Sequence, residues 1–319
     1  MIGLKIENKD FSQVVEKITW SGDTKQVARK LVFTIAQRDS DRFFPKATIS
    51  EGDLVVLEDD GNTLFGGKIF DVEKSSKSNT FTYTAFDFLF YVQQSEVSRI
   101  IDTTAEGCAA LVCNDLGITL GAAAATGVNV YFPALGKPGY EVIMMAYTQA
   151  SKTTGKKYIP LIKNLTEVHV IEKGQLCGAI LSGDYNLEDA SYKASAQNMV
   201  NQVKITDKNG NTVSVVENSS DRDQFGTLQR TYTQEDGKDA TTEAKAMLQG
   251  VDRSGSATAV PSDVRAVSGY AIIVYDKVSG LYGKFYIESD THTFENGKHE
   301  MQLTLAFSNL MDEKEITTT

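Results

Sequence analysis

An Asn-Gly pair near the C-terminal end constrains the fold of this chain more than any other feature of its sequence. Asn296-Gly297 stands between two runs in which apolar and polar residues alternate, 291–295 and 298–307. Two-residue type I′ turns favour Asn-Gly because both turn positions need a positive φ. With such a turn, Glu295 pairs with Lys298 and Phe294 with His299. The sequence therefore predicts an antiparallel hairpin with one face for a core and one for water.

The first hundred residues predict further short strands. Segments 28–36 and 80–86 alternate between apolar and polar residues, and a turn signal at 59–62 separates apolar runs at 54–57 and 64–72. Short strands at this spacing are typical of a small barrel or sandwich. We expect an N-terminal β domain of this kind over residues 1–98, for which the family resemblance described below implies a tube-like barrel.

Residues 99–190 predict a mixed α/β region. Thr103-Thr104 can cap a helix over 105–116, Gly117 stands at its C-cap position, and a second helix is expected over 140–151. A strand pair is predicted at 158–162 and 168–171, whereas the small residues of 121–127 predict a flexible connection.

The remaining residues, 191–319, predict a C-terminal β region with one short helix at 239–248. The polar segment 182–198 is the best candidate for an inter-domain crossing, and the chain beyond Met311 is expected to fray. The predicted fold class is therefore α+β and β-dominated, with several domains, β-barrels and a small mixed insertion.

Charge and composition limit the partners. The net charge is −10, and the densest basic clusters, at 25–30 and 152–157, are diluted by polar residues. A protein that grips nucleic acid needs a basic stripe. We expect no specific nucleic-acid binding, although an acidic channel could let DNA pass.

The sequence shows no signal-peptide pattern and no apolar run long enough to cross a membrane. The chain has three cysteines, Cys108, Cys113 and Cys177, and none of them stands in a CxxC motif. We expect all three to be small core side chains in a protein from a reducing compartment. We expect a chain made in the cytoplasm, with no membrane segment.

Three residues of the C-terminal hairpin are weak metal candidates. The register places His292 and His299 on one face, with Asp290 two residues upstream on the same face. Two imidazoles and a carboxylate can bind zinc. The alternative, which the apolar surroundings favour, is a pair of hydrogen-bonded histidines at the edge of a core.

No motif predicts a catalytic or cofactor-binding residue. The sequence contains no G-x-S-x-G, H-E-x-x-H or G-x-G-x-x-G, and GNTLFGGK at 61–68 fits a hairpin better than a phosphate loop. Asp184, Glu188 and Asp189 form the one dense acidic group of the crossing and could serve a glycosidase, but a solvated loop is the favoured interpretation. We expect no enzyme activity and no cofactor.

Several stretches together resemble the XkdQ/YqbQ-like family of baseplate hub proteins, found in PBSX-type phage elements, myophages and R-type bacteriocins. They follow in order the patterns G-D-x-V, L-F-x-G-x-I and Y-x-A-x-D-x-L of the N-terminal domain of such hubs. The matching residues are 52–56, 64–69, 83–89, 105–116, 140–150, 154–158, 198–203, 283–287, 289–294 and 296–303.

The resemblance implies a structural hub of a contractile tail (phage or tailocin), a homotrimer in which each subunit carries two tube-like barrels. Three subunits then present six barrels, which joins a six-fold tail tube to a three-fold central spike. The implied partners are the tail tube or tube-initiator protein, the spike and other baseplate subunits, in a virion-type particle. The competing hypotheses are a tail-tip cell-wall hydrolase and a surface-carbohydrate-binding module.

Overall fold

The computed structural model describes residues 2–26, 28–36, 48–75 and 80–316. Strands make up 52% of the chain and helices 16%, so the predicted β-dominated α+β class is confirmed. The chain forms two compact units, Met1–Ala190 with Ser256–Thr319, and Ser191–Gly255. The change from one unit to the other falls inside the predicted crossing at 182–198. The predicted division at residues 98 and 190 stays a prediction.

Seven N-terminal strands form one half of a curled, half-barrel sheet in the first unit. They are β1 (Ile2–Ile6), β2 (Lys9–Asp10), β3 (Val15–Asp23), β4 (Lys30–Ala36), β5 (Leu54–Asp59), β6 (Asn62–Glu73) and β7 (Thr80–Asp87). Their order is β2-β1-β5-β6-β7-β4-β3, and all neighbours are antiparallel. Alternate residues such as Leu31, Phe33 and Ile35 point into one core. Residues 61–68 lie in the β5–β6 hairpin, as predicted.

C-terminal strands continue the same sheet around a second core. They are β13 (Leu176–Ser182), β14 (Leu187–Ser195), β18 (Asp252–Ala259), β19 (Ala271–Tyr275), β20 (Tyr282–Glu295) and β21 (Lys298–Ala306). The predicted register of the β20–β21 hairpin is confirmed, with Glu295 opposite Lys298 and Phe294 opposite His299. Leu181, Ile272 and Leu305 lie in this core.

Strand β20 joins the two halves. Its first residues pair with β19, and its last seven pair with β3 in the N-terminal half. One continuous sheet therefore supplies the strands around both cores.

The middle region packs helices against two small sheets. Its elements are α1 (Leu89–Gln94), β8 (Glu96–Thr104), α2 (Ala105–Asp115), β9 (Leu120–Ala123), β10 (Asn129–Pro138), α3 (Gly139–Thr154), β11 (Tyr158–Lys163) and β12 (Glu167–Glu172). Both predicted helices are confirmed. Gly107 N donates to the Thr104 cap at 3.2 Å, and Gly155, at φ 71°, ends α3. Among the described helices none is long and apolar enough to cross a membrane.

The expected flexible connection at 121–127 is wrong for its first residues. Residues of β9 pair in parallel with β12. Gly121 is needed there because a Cβ would lie 2.1 Å from His169 Nε2, and Ala122 N donates to His169 Nδ1 at 3.1 Å. The small side chains that predicted a linker instead allow a close approach of strand and ring.

The expected fraying beyond Met311 is also wrong over residues 312–316. Tyr140 Oη donates to Asp312 Oδ2 at 2.9 Å, and Lys314 N donates to Thr148 Oγ1 at 3.0 Å. Lys152 pairs with Glu315 at 2.8 Å. The polar tail is held because its charges and amides meet matching groups along α3.

The second unit, Ser191–Gly255, has its own small core. It contains β15 (Gln202–Thr206), β16 (Thr212–Glu217), α4 (Ser219–Phe225), β17 (Gln229–Thr233) and α5 (Ala240–Ala246). The strand order is β16-β15-β17, and α5 places Ala244 in a core with Val203 and Ile205. The predicted short helix at 239–248 is confirmed, with Asp239 as its N-cap.

Candidate functional site

A buried polar cluster lies where β3, β4 and β20 meet in the first unit. Register places His292 on β20 opposite Trp20 on β3, and Trp20 is in turn opposite Leu31 on β4. The side chains of Asp290 and His292 are fully buried. Polar groups at such a position must find partners within the protein.

Arg29 supplies the main partner of Asp290. Its Nη1 donates to Asp290 Oδ1 at 3.0 Å and its Nη2 donates to Oδ2, which makes a two-pronged ion pair. Ser268 N donates to the same Oδ1 at 2.6 Å. The guanidinium also lies 4.1 Å from the centre of the Trp20 ring. This ion pair thus links Arg29 to Asp290, which lies 261 positions later in the sequence.

The two histidines of the hairpin bond to each other. His292 Nε2 lies 3.1 Å from Ala266 O, which can only accept, so this nitrogen carries the proton. His292 Nδ1 then accepts from His299 Nε2 at 2.9 Å. Burial lowers the pKa of each histidine to about 4, so both are neutral near pH 7.

The structure brings the three weak metal candidates together, as the hairpin register predicted. However, Asp290 is engaged by Arg29 and Ser268, and both nitrogens of His292 are hydrogen-bonded. Within residues 2–26, 28–36, 48–75 and 80–316, no three His, Cys, Asp or Glu side chains are placed to hold a metal ion. The geometry assigns these residues to a hydrogen-bonded network, and the metal site stays a prediction from the sequence.

Asp87, at the end of β7, is a buried carboxyl that the sequence did not single out as a site. Leu89 N, at the first residue of α1, donates to its Oδ1 at 3.0 Å, while Oδ2 has no partner among the described residues. Burial raises the pKa of Asp87 to about 7, against the opposing effect of Arg29. The sequence feature that could have drawn attention to Asp87 is its position as the aspartate of the Y-x-A-x-D-x-L pattern.

The candidate hydrolase residues do not converge. Asp184 lies in an exposed turn, and Glu188 and Asp189 are exposed on β14. Neighbouring residues of a strand point to opposite faces, so Glu188 and Asp189 cannot face one sugar ring together.

Two exposed apolar faces lie on the first unit. The tyrosine face is the outward side of β13, β19 and β20, where register aligns Ile180 with Ile273 and Lys284, and Tyr275 with Tyr282. The β8–β10 outer face carries Ile100 opposite Pro133, and Asp102 opposite Tyr131, with Leu135 beyond. Tyr131 and Tyr282 are each 69% exposed. Clustered apolar surface of this kind marks interaction sites more often than isolated residues do.

Comparison with known proteins identifies the family. The sequence model of one family, described as YQBQ-like, matches residues 18–306. The chain belongs to the YQBQ-like family. The resemblance to the XkdQ/YqbQ-like family is therefore confirmed.

A curated relative matches this YQBQ-like chain over nearly its full length. It is the phage-like element PBSX protein XkdQ of Bacillus subtilis (strain 168), 22% identical over 94% of this chain and 94% of its own.

Solved structures share the fold. The 43 kDa tail protein of prophage MuSo2 from Shewanella oneidensis has a TM-score of 0.74 at 13% identity and covers 96% of the YQBQ-like chain and 97% of its own. The E. coli c3393 protein, a type VI secretion component with structural similarity to the T4 tail proteins gp27 and gp5, has a TM-score of 0.58 at 10% identity. It covers 99% of this chain and 79% of its own. The YQBQ-like chain therefore has a fold found in phage tail and type VI secretion proteins.

Proposed function

We propose that this YQBQ-like chain is a non-catalytic structural protein of a phage-type baseplate, and that it is the hub of a contractile tail. In this role it joins a six-fold tail tube or tube-initiator protein to a three-fold central spike and contacts other baseplate subunits. The chain is made in the bacterial cytoplasm and incorporated into the particle.

The observation that carries the proposal is the pair of cores in one curled sheet. The N-terminal strands enclose one core and the C-terminal strands enclose another, and β20 belongs to both halves. Two tube-like halves in one subunit are what a ring of three subunits needs in order to present six similar elements.

The fold comparison supports the same role. The tail protein from Shewanella oneidensis covers nearly all of this chain, and the E. coli protein is described as similar to tail proteins gp27 and gp5. The net charge of −10 suits a lumen that lets DNA pass without holding it.

Deletion of the gene followed by electron microscopy of the tail particles tests the proposal. We expect tubes and sheaths that fail to nucleate, or baseplates without a centre, and recovery when the wild-type gene is returned. Particles that assemble normally but no longer kill cells would overturn the hub role.

One observation favours a second candidate, a surface-carbohydrate-binding module. Tyr275 and Tyr282 lie side by side with ring centroids 4.8 Å apart, next to a groove lined by Asp184, Asp276 and Lys277. Exposed tyrosines beside carboxylates suit a sugar ring. Binding of soluble cell-wall muropeptides that is lost on Tyr282→Ala, with normal particle assembly, would favour this role.

A further inference from the structure

The strap, residues 308–316, lies along α3 without forming a helix or a strand. Side chains of the middle region hold its backbone. Thr148 Oγ1 accepts from Lys314 N at 3.0 Å, and Lys173 Nζ donates to Leu310 O. Both of these side chains, Thr148 and Lys173, are buried. The strap is therefore held as an extended peptide is held in a groove, by side chains that reach its main chain.

The groove that receives the strap, called the strap groove, is basic. Its polar groups are those of Tyr140, Thr148, Lys152, Lys157 and Lys173. Lys152 pairs with Glu315 at 2.8 Å, and Lys157 pairs with Glu313 at 2.7 Å. Within the part of the chain that the structure describes, the strap supplies every carboxylate paired with these two lysines. A strap that leaves would uncover two cations, so the groove suits an acidic segment.

Helix α3 keeps the strap groove in place whether or not the strap is bound. Ile143, Ala146 and Ala150 lie about half a turn around the helix from Thr148 and are buried in the core of the middle region. A close-packed core fixes the position of a helix and of the side chains that it carries. The groove therefore stays formed when the strap departs.

The strap itself is held weakly. Lys152 and Glu315 are 51% and 62% exposed, and ion pairs at this exposure contribute little and are screened by salt. Its apolar contacts are Met311 and Ile316, which are only partly buried against the core. Segments with few buried apolar contacts open at a lower free energy than the core does. The strap can therefore leave while the rest of the unit stays folded.

We propose that the strap groove is a docking site for an extended acidic segment of a partner protein, and that the strap is its displaceable occupant in the free chain. The strap shows the pattern that the groove recognises, with apolar residues at 311 and 316 and acidic residues at 312, 313 and 315. A partner segment with this pattern competes with the strap for the same groups. The inference goes beyond the hub role and does not depend on it.

Charge reversals in the full chain test the proposal. The strap variant is Glu313→Lys with Glu315→Lys, and the groove variant is Lys152→Glu with Lys157→Glu. Lys208→Glu, which breaks an exposed ion pair of the second unit, is the matched control. The probe is a fluorescein-labelled synthetic peptide with the sequence of residues 308–316.

Fluorescence anisotropy measures peptide binding, hydrogen exchange of residues 308–316 measures strap release, and Trp20 emission checks the fold of each variant. In wild type the tethered strap competes as if present at about millimolar concentration, so the peptide binds weakly. We expect the strap variant to exchange its strap amides faster, and to bind the peptide at least about tenfold more tightly than wild type or the control. Raising the ionic strength from about 0.1 M to about 1 M should weaken this binding.

The groove variant tests whether charge selects the segment. It should reject the wild-type peptide and bind a peptide that carries Glu313→Lys and Glu315→Lys. Equal affinity of the groove variant for the two peptides would overturn the preference for acidic segments.

Three other results would overturn the proposal. Strap amides that stay protected in the strap variant would show that the strap is not displaceable. Fast exchange of the strap amides without a gain in peptide binding would show that the groove is not a docking site. Wild-type dimers in sedimentation velocity that disappear in both variants would assign the groove to the strap of a second copy instead of a partner.

Discussion

Replacing Asp290 with Asn should weaken the first unit far more than any change at an exposed ion pair. The wild-type carboxylate accepts two N–H groups from Arg29 and one from Ser268, in a position that water does not reach. In Asp290→Asn the charge is lost and one acceptor oxygen becomes an NH2 group, which would face an Arg29 donor. Arg29 is then left charged without its counter-ion.

The magnitude follows from burial. Breaking a buried ion pair by removing one partner typically costs about 3–5 kcal/mol. The Arg29 side chain retains 14% exposure, so water can hydrate part of its charge. We therefore expect a loss of about 3 kcal/mol in the free energy of unfolding. Adding Arg29→Met to Asp290→Asn removes the stranded charge and should recover part of this loss.

Urea unfolding at pH 7.5, followed by Trp20 emission, measures the effect. Trp20 is the single tryptophan and packs against Arg29, so the signal reports this part of the sheet. Glu295→Gln is the matched control, because Glu295 pairs with Lys17 across the same two strands at 3.4 Å with both side chains about half-exposed. We expect the control to cost less than about 1 kcal/mol.

Equal losses in Asp290→Asn and Glu295→Gln would refute the reasoning. Such a result would mean that the Arg29–Asp290 pair is solvated in solution and adds no more than a surface contact.

Three further predictions concern pH and helix capping. The pKa of His292 falls to about 4 on folding, so below pH 6.5 the unfolded chain takes up a proton that the folded chain does not. The free energy of unfolding should therefore fall by about 3 kcal/mol as pH falls from 6.5 to 4. In urea titrations, His292→Gln should make the free energy of unfolding depend less on pH over this range. The pKa of Asp87 rises to about 7 in the folded chain, so ionisation of this carboxyl opposes folding as pH rises from 4 to 7. Asp87→Asn should therefore add about 4 kcal/mol to the free energy of unfolding at pH 8, a gain that disappears near pH 4, and no gain at pH 8 would contradict the reasoning. Thr104→Ala removes the cap of α2 and should cost about 1 kcal/mol in the same assay, whereas Thr103→Ser leaves that cap in place.

Local features of the fold could be predicted from the sequence because local chemistry determines them. The Asn296-Gly297 turn determined the register of β20 and β21, and the cap at Thr104 marked where α2 begins. The pairing of β20 with β3 was not predicted, because nothing in the sequence of either strand identifies a partner so far away in the chain.

Parts of the site were missed for physical reasons. Hairpin alternation put Asp290, His292 and His299 on one face, but it could not show that Arg29 neutralises the carboxylate. Asp87 looked like an ordinary acid at a strand end, because burial of a carboxyl depends on what packs over it. The tail beyond Met311 was misjudged because its partners lie on α3.

The pairing of β20 with β3 also determines when, during translation, the sheet can be completed. Arg29 leaves the ribosome 261 residues before Asp290, so during translation the N-terminal strands expose the edge of β3 and an uncompensated guanidinium. Contacts this distant in sequence form late, because the chain must close a long loop first. A nascent or truncated chain therefore lacks the finished sheet. Only a polypeptide translated beyond β20 can complete the sheet that joins the two cores.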